Sequence, residues 1–162
     1  FGLAKDLDVS MAQAQDFIDR YFLRYPKVKV YMDEAIEFAQ EHGYVETLYH
    51  RRRYLPDIKS ANIGLRQFAQ RQAINAPLQG TAADLIKLAM VNIDRELSKQ
   101  QLSSVMIMTV HDELVFNMIP SEKDQLLKLV KEQMQKVASL EVLLKADLKI
   151  GQNWMEMTAV KI

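Results

Sequence analysis

The sequence predicts an α+β chain: a helical part first, then a small antiparallel sheet backed by long helices. Three observations carry this. Apolar residues recur at helical spacing through most of the chain. Two apolar runs, Val105–Val110 and Leu114–Phe116, are separated by His111-Asp112-Glu113, which reads as a β-hairpin with a tight connection. A last, partly alternating stretch, Val142–Ile150, reads as a strand that returns to the hairpin's sheet.

The elements follow in order. Ser10 and Gln13 form a capping-box pattern ahead of a helix over Met11–Arg24, with Ala14, Phe17, Ile18, Tyr21 and Phe22 on its apolar face. Pro26 suits the first position of a second helix, and Gly43 its C-terminal stop. Tyr44–Pro56 reads as strand, basic turn, strand, with His50-Arg51-Arg52-Arg53 at the turn. Helical spacing resumes at Ser60, and Pro77 is expected to end that helix or bend it. Gly80-Thr81-Ala82-Ala83 is a run of small residues that permits close approach of another backbone. Beyond it, Leu85, Ile86, Leu88, Ala89, Val91, Ile93 and Leu97 predict a mostly buried helix to about Ser98. Ser121, with Asp124 three residues on, looks like the cap of an amphipathic helix running to about Ala138. Gly151-Gln152-Asn153-Trp154 is expected to turn the chain out, and the nine Met residues read as packing.

Composition sets outer limits. The 162 residues suffice for one domain or two small packed layers, and 49% hydrophobic with 26% charged residues is a globular balance. The absence of Cys excludes disulfides, a thiolate nucleophile and Cys-ligated metals. No apolar run is long enough to span a membrane, and no signal peptide is visible, so a cytoplasmic location is expected. The opening Phe1 suggests an excised piece of a longer chain. Net charge is zero but unevenly placed. Residues 1–43 hold five Lys/Arg against eight Asp/Glu, residues 44–79 six against two, and residues 80–162 ten against eleven. The middle part is the basic one, and a local basic band can bind a polyanion on one face.

Three groups of residues suggest chemistry. The hairpin connection has no Gly or Pro, so its surroundings must hold it, and such departures tend to mark functional sites. Asp112 and Glu113 would point to opposite faces of a regular strand, but at a turn both can reach one space. A hard divalent cation resolves the repulsion of two adjacent carboxylates. The plainer alternative is a solvated polar turn. Arg71, Asn75 and Gln79 are spaced by four and line one stripe of a helix. That stripe can grip a phosphate and read base edges in a minor groove, or it is an ordinary wet face. Arg51, Arg52 and Arg53, with Tyr49 and Tyr54 as neighbours, suit nucleic-acid contact or a solvated loop.

Thr109-Val110-His111-Asp112-Glu113 resembles the C motif of family A DNA polymerases, the family of bacterial DNA polymerase I. RQAINAPLQGTAADLIKLAM, from Arg71 to Met90, resembles that family's long palm helix. GYVETLYHRRRYLPDI resembles the segment that leaves the fingers, and FGLAKDLDVSMAQAQDFIDRYFLRYPKV the fingers just after the nucleotide-binding helix. GQNWMEM resembles the family's C-terminus, so the likeness covers nearly the whole chain in the family's order. It implies fingers over residues 1–59 and palm over residues 60–162.

The resemblance also implies template-directed nucleotidyl transfer in DNA replication and repair, with two Mg²⁺ ions, on primer-template DNA and deoxynucleoside triphosphates. Under it, Asp112 matches a metal-binding carboxylate, Glu113 its acidic neighbour, and His111 a residue near the primer terminus. Arg71, Asn75 and Gln79 match duplex contacts, and Arg51, Arg52 and Arg53 a basic turn near the DNA backbone. The family's other metal-binding aspartate lies upstream of Phe1, so the isolated chain is expected not to extend a primer. Two other classes are weighed against this. A non-catalytic DNA-binding module would need the basic band and the helical stripe but not Asp112. A metal-dependent phosphohydrolase would use Asp112 and Glu113, but its remaining ligands are not found.

Overall fold

The computed structural model describes residues 2–161. Phe1 and Ile162, the outer ends of the expected fingers and palm segments, lie outside the described residues. The chain forms two compact units, Phe1–Leu78 and Gln79–Ile162. The elements in order are helices α1 (Gly2–Asp6), α2 (Met11–Arg24) and α3 (Pro26–His42), and strands β1 (Tyr44–Glu46) and β2 (Arg52–Tyr54). Helix α4 (Ile63–Lys99), strands β3 (Val105–Val110) and β4 (Glu113–Asn117), helix α5 (Lys123–Gln135), and strands β5 (Leu148–Gly151) and β6 (Met157–Val160) follow. The α+β reading therefore holds.

Local chemistry explains the first unit's boundaries. The Ser10 hydroxyl accepts from the Gln13 N–H at 3.2 Å, and the Gln13 side chain accepts from the Ser10 N–H at 3.0 Å. This reciprocal cap satisfies two N–H groups that a helix start leaves orphaned. Gly43 ends α3 at φ 77, a conformation that costs glycine no Cβ clash. The predicted apolar face of α2 is only partly used. Ala14 is buried, Ile18 and Phe22 are half-buried, and Phe17 and Tyr21 are exposed. The core of this unit is instead Ala39, Val45, Leu55, Ile58, Ala69 and Ala73. The Asn62 side chain caps α4, accepting from the N–H groups of Gly64 and Leu65.

Pro77 does not end its helix, because α4 runs 37 residues through it. An interior proline costs about 3 kcal/mol or more, so packing must outweigh it. Ala69 and Ala73 are buried ahead of it, and the Tyr31 hydroxyl donates to the Ile74 carbonyl at 2.9 Å.

In the second unit, Ile93 and Leu97 of α4 and Leu126, Leu129 and Val130 of α5 form the core. Leu114 and Phe116 of β4 pack on it, so helices back the hairpin as expected. The Leu88 and Val91 positions, expected inside, are exposed.

The last strand departs from expectation. The strands form three separate two-stranded antiparallel ribbons, and β5 pairs with β6 instead of joining β3 and β4. Gly151 makes this pairing possible, because a Cβ there would collide with the Glu156 carbonyl. The Asn153 side chain closes the turn by accepting from the N–H groups of Met155 and Glu156, at 3.0 and 3.1 Å. The segment after Gly151 thus turns back and does not lead the chain out. Leu148 still packs on the α4–α5 core, so β5 reaches that core through its side chain. Ser121 is not a helix cap either. It sits in a 3-10 turn, Pro120–Glu122, and α5 ends at Gln135, short of Ala138.

Candidate active site

The connection between β3 and β4 is shorter than the sequence suggested. Glu113 is the first residue of β4 and pairs with Val110, which leaves His111 and Asp112 as a two-residue turn. Such turns need a left-handed residue to match the twist of the strands, and Asn or Gly usually supplies it. Here His111 supplies it, at φ 55. Holding a non-glycine residue there costs on the order of 1 kcal/mol. Among the described residues, the side chains of His111, Asp112 and Glu113 make no hydrogen bond or ion pair, and all three are exposed. Asp112 and Glu113 both line an open cleft of about 1060 Å³, which Lys145 and Asp147 also line. His111 does not line that cleft.

The base of this hairpin is tied down by a residue that the sequence did not single out. The Glu122 carboxylate accepts from the N–H groups of Ser103 and Ser104, each at 2.8 Å, and from the Ser104 hydroxyl at 2.7 Å. The Ser104 oxygen in turn accepts from the Ile119 N–H at 2.9 Å. The Ser104 hydroxyl, then the Ser103 N–H, hold the Glu122 carboxyl below the usual carboxylate range. No local pattern announces this contact, because its partners are 18 and 19 residues apart.

The basic turn is organised differently. Glu46 takes the Arg52 guanidinium at 2.8 Å and the His50 ring nitrogen at 3.2 Å. Arg52, then His50, hold the Glu46 carboxyl below its usual range. The Arg52 guanidinium also lies 4.4 Å over the Tyr44 ring. Arg52 is therefore engaged within the chain. All three arginines are exposed, and Arg51 too has an interaction within the chain. The cross-strand pair Glu46–Arg52 could have been found from the strand–turn–strand pattern, since hairpin pairing sets the two opposite each other.

Arg71, Asn75 and Gln79 all lie on α4 and are exposed, as the spacing required. The Arg71 guanidinium is 5.8 Å from the centre of the Phe68 ring. The donor chemistry at the hairpin suits a hard divalent cation, because two carboxylates stand unneutralised beside one cleft. The described residues hold no group of three or more His, Asp or Glu side chains able to hold a metal ion.

The family model of DNA polymerase family A matches residues 1–156. The DNA polymerase I of Caldicellulosiruptor bescii is 46% identical over 156 residues, covering 96% of this chain and 18% of that protein. Those of Bacillus caldotenax and Streptococcus pneumoniae are 44% and 46% identical over the same share of this chain. The solved POL domain of Pol1 from M. smegmatis, in complex with DNA primer-template and dNTP, superposes with a TM-score of 0.87. It is 40% identical, over 90% of this chain and 26% of that one. This chain belongs to DNA polymerase family A. It spans about one fifth of the length of the relatives it matches, 18% in each case. Among the described residues, no helix is long and apolar enough to cross a membrane.

Proposed function

We propose that this chain is part of the polymerase module of a DNA-directed DNA polymerase that adds deoxynucleotides to a primer 3′ end. The observation that carries this is the pair Asp112 and Glu113, unneutralised on one cleft at a strained turn, in a chain of family A. The neighbour solved with primer-template DNA and dNTP supports the choice of partners. In this reading residues 1–59 are fingers and residues 60–162 palm, and the protein works in the cytoplasm on chromosomal DNA.

Asp112 would hold divalent metal, with Glu113 beside it and further ligands from outside the described residues. Two Mg²⁺ ions bound there would acidify the primer hydroxyl and neutralise the triphosphate. Among the described residues, Asp112 has no side-chain partner that a ligand would have to displace. His111 would sit by the primer terminus. Arg71 would neutralise a backbone phosphate, and Arg53 would do so on the basic ribbon. Asn75 and Gln79 would donate to minor-groove acceptors, which vary little with sequence.

The test uses the full-length enzyme. Asp112→Ala is expected to lower single-turnover incorporation by about a thousandfold or more, several kcal/mol of lost transition-state stabilisation. Its affinity for duplex primer-template is expected to stay within about threefold. Arg71→Ala is expected to flatten the slope of log affinity against log salt by about 0.9 or less, and Gln79→Ala to leave it unchanged. The 162-residue chain alone is expected not to extend a primer, for want of ligands. Near-normal incorporation by Asp112→Ala would remove the hairpin from the active site.

A further inference from the structure

The ribbon of β1 and β2 carries an aromatic arrangement to which the proposed function assigns no role. Tyr44 and Tyr54 are directly opposite across the strands, with ring centres 5.8 Å apart and edge to face. Tyr44 is itself held from several sides. Arg52 lies over its face at 4.4 Å, and the Phe38 ring meets it at 5.8 Å. Phe38 in turn stacks on His42 at 4.2 Å. The backbone next to Tyr54 is equally fixed. Leu55 is 2% exposed, and its N–H donates to the Gly43 carbonyl at 2.9 Å.

Yet Tyr54 itself is 69% exposed. A ring that exposed returns little burial energy for being held in one place. Order without burial is what a preformed stacking surface needs, because the entropy of fixing the ring is already spent before a ligand arrives. The neighbouring charge selects the ligand. Arg51, Arg52 and Arg53 stand on or beside the same ribbon, within the part of the chain that holds six Lys/Arg against two Asp/Glu. A fixed aromatic face beside a cationic strand fits a chain that carries both bases and phosphates with its bases unpaired. A duplex would keep its bases stacked on one another and out of reach.

We infer that Tyr54, braced by Tyr44 and Arg52, stacks a base of single-stranded DNA, with Arg53 on the adjoining phosphate. This rests on the polymerase reading, in which the strand is template beyond the paired region. Glu46 serves the platform by anchoring Arg52 over Tyr44, which makes Arg52 a positioning residue here and not a phosphate contact.

The experiment measures binding of fluorescent oligonucleotides to the full 162-residue chain by anisotropy, across a salt series. One strand is oligothymidine of about 12 nucleotides, within the usual range of single-strand sites. The other is an abasic strand of equal length, with the same phosphates and no bases. The wild type should prefer the thymidine strand. Tyr54→Leu should lower thymidine-strand affinity by about five- to a hundredfold, leaving abasic affinity and the salt slope unchanged. Tyr54→Phe should restore the preference. Arg53→Ala should weaken both strands and flatten the slope by about 0.7. Equal affinity of the wild type for the two strands overturns the inference, as does a Tyr54→Leu variant that keeps the preference, or no binding at low salt. The Asp112→Ala extension assay on the complete enzyme does not depend on Tyr54. Failure here with extension chemistry intact would therefore sink this inference alone.

Discussion

His50 lies in the connection between β1 and β2 with φ 59, and His111 in the connection between β3 and β4 with φ 55. Both accept a backbone conformation that usually goes to glycine or asparagine. Around His50 the chain compensates. The Thr47 hydroxyl accepts from the N–H groups of Tyr49 and Arg51, the His50 N–H donates to the Thr47 carbonyl, and the His50 ring meets Glu46. Around His111 nothing comparable is built. The turn is two residues long, and among the described residues no side chain in it makes a hydrogen bond or ion pair. The bracing lies instead at the far end of the hairpin, in Glu122 and Ser104. One turn spends its polar groups on its own stability, and the other leaves them unbonded among the described residues, which is the contrast expected if the proposed site lies at His111–Glu113.

The comparison is broken most severely if Asp112 turns out to matter for stability and not for chemistry. Asp112→Ala is expected to leave the urea midpoint of the 162-residue chain nearly unchanged, within about 0.5 kcal/mol, as for a surface position without partners. In the complete enzyme the same change should remove incorporation, as set out above. A clear loss of stability would mean that the turn is a structural element like its counterpart.

Thr47→Ala should do the reverse. Thr47 is 8% exposed, and losing its oxygen leaves the Tyr49 and Arg51 N–H groups without that acceptor. The expected cost is about 1–3 kcal/mol by urea denaturation. Slow amide exchange in β3 and β4 should survive it. A cost near zero would show that the loop is not braced as described.

The two histidines separate in glycine variants. His111→Gly relieves the left-handed residue and loses no bond, so it should stabilise the chain by up to about 1 kcal/mol. His50→Gly relieves the same strain but forfeits the contact with Glu46, so its gain should be smaller or absent. Equal gains at the two sites would erase the distinction.

Acid gives the smallest effect and touches both ribbons. The folded pKa of Glu46 lies below its unfolded value because of Arg52 and then His50, and that of Glu122 because of the Ser104 hydroxyl and then the Ser103 N–H. A depressed carboxyl adds stability that is present above the unfolded value, about pH 4.3, and is lost as pH falls through the folded value. Stability should therefore decline below about pH 4–5. Carboxyl ¹³C titrations should place both groups under the ordinary glutamate value, and Glu122→Gln should remove its share of the acid dependence. Ordinary titration at Glu122 would show that the base of β3–β4 is not tied as seen.

Much of this molecule is decided by short-range chemistry, and that part is legible in the residues. The capping box at Ser10, the stop at Gly43, the strand–turn–strand at Tyr44–Pro56 and the apolar hairpin around Asp112 each depend on neighbours within a few positions. The α4 stripe is legible too, because helical spacing alone sets Arg71, Asn75 and Gln79 in line. Family membership is carried by the same stretches, read in order.

Tertiary structure decided what local rules leave open. Helix α4 passes through Pro77 because buried alanines and the Tyr31 hydroxyl outweigh a local penalty. Strand β5 chose β6 because Gly151 admits the Glu156 carbonyl, and no periodicity specifies a strand's partner. Glu122, just before α5, took Ser103 and Ser104 as partners, since the energy of that contact depends on a fold that brings distant residues together. The strand–turn–strand pattern already sets Arg52 opposite Glu46, but the placing of its guanidinium over the Tyr44 ring was settled in space.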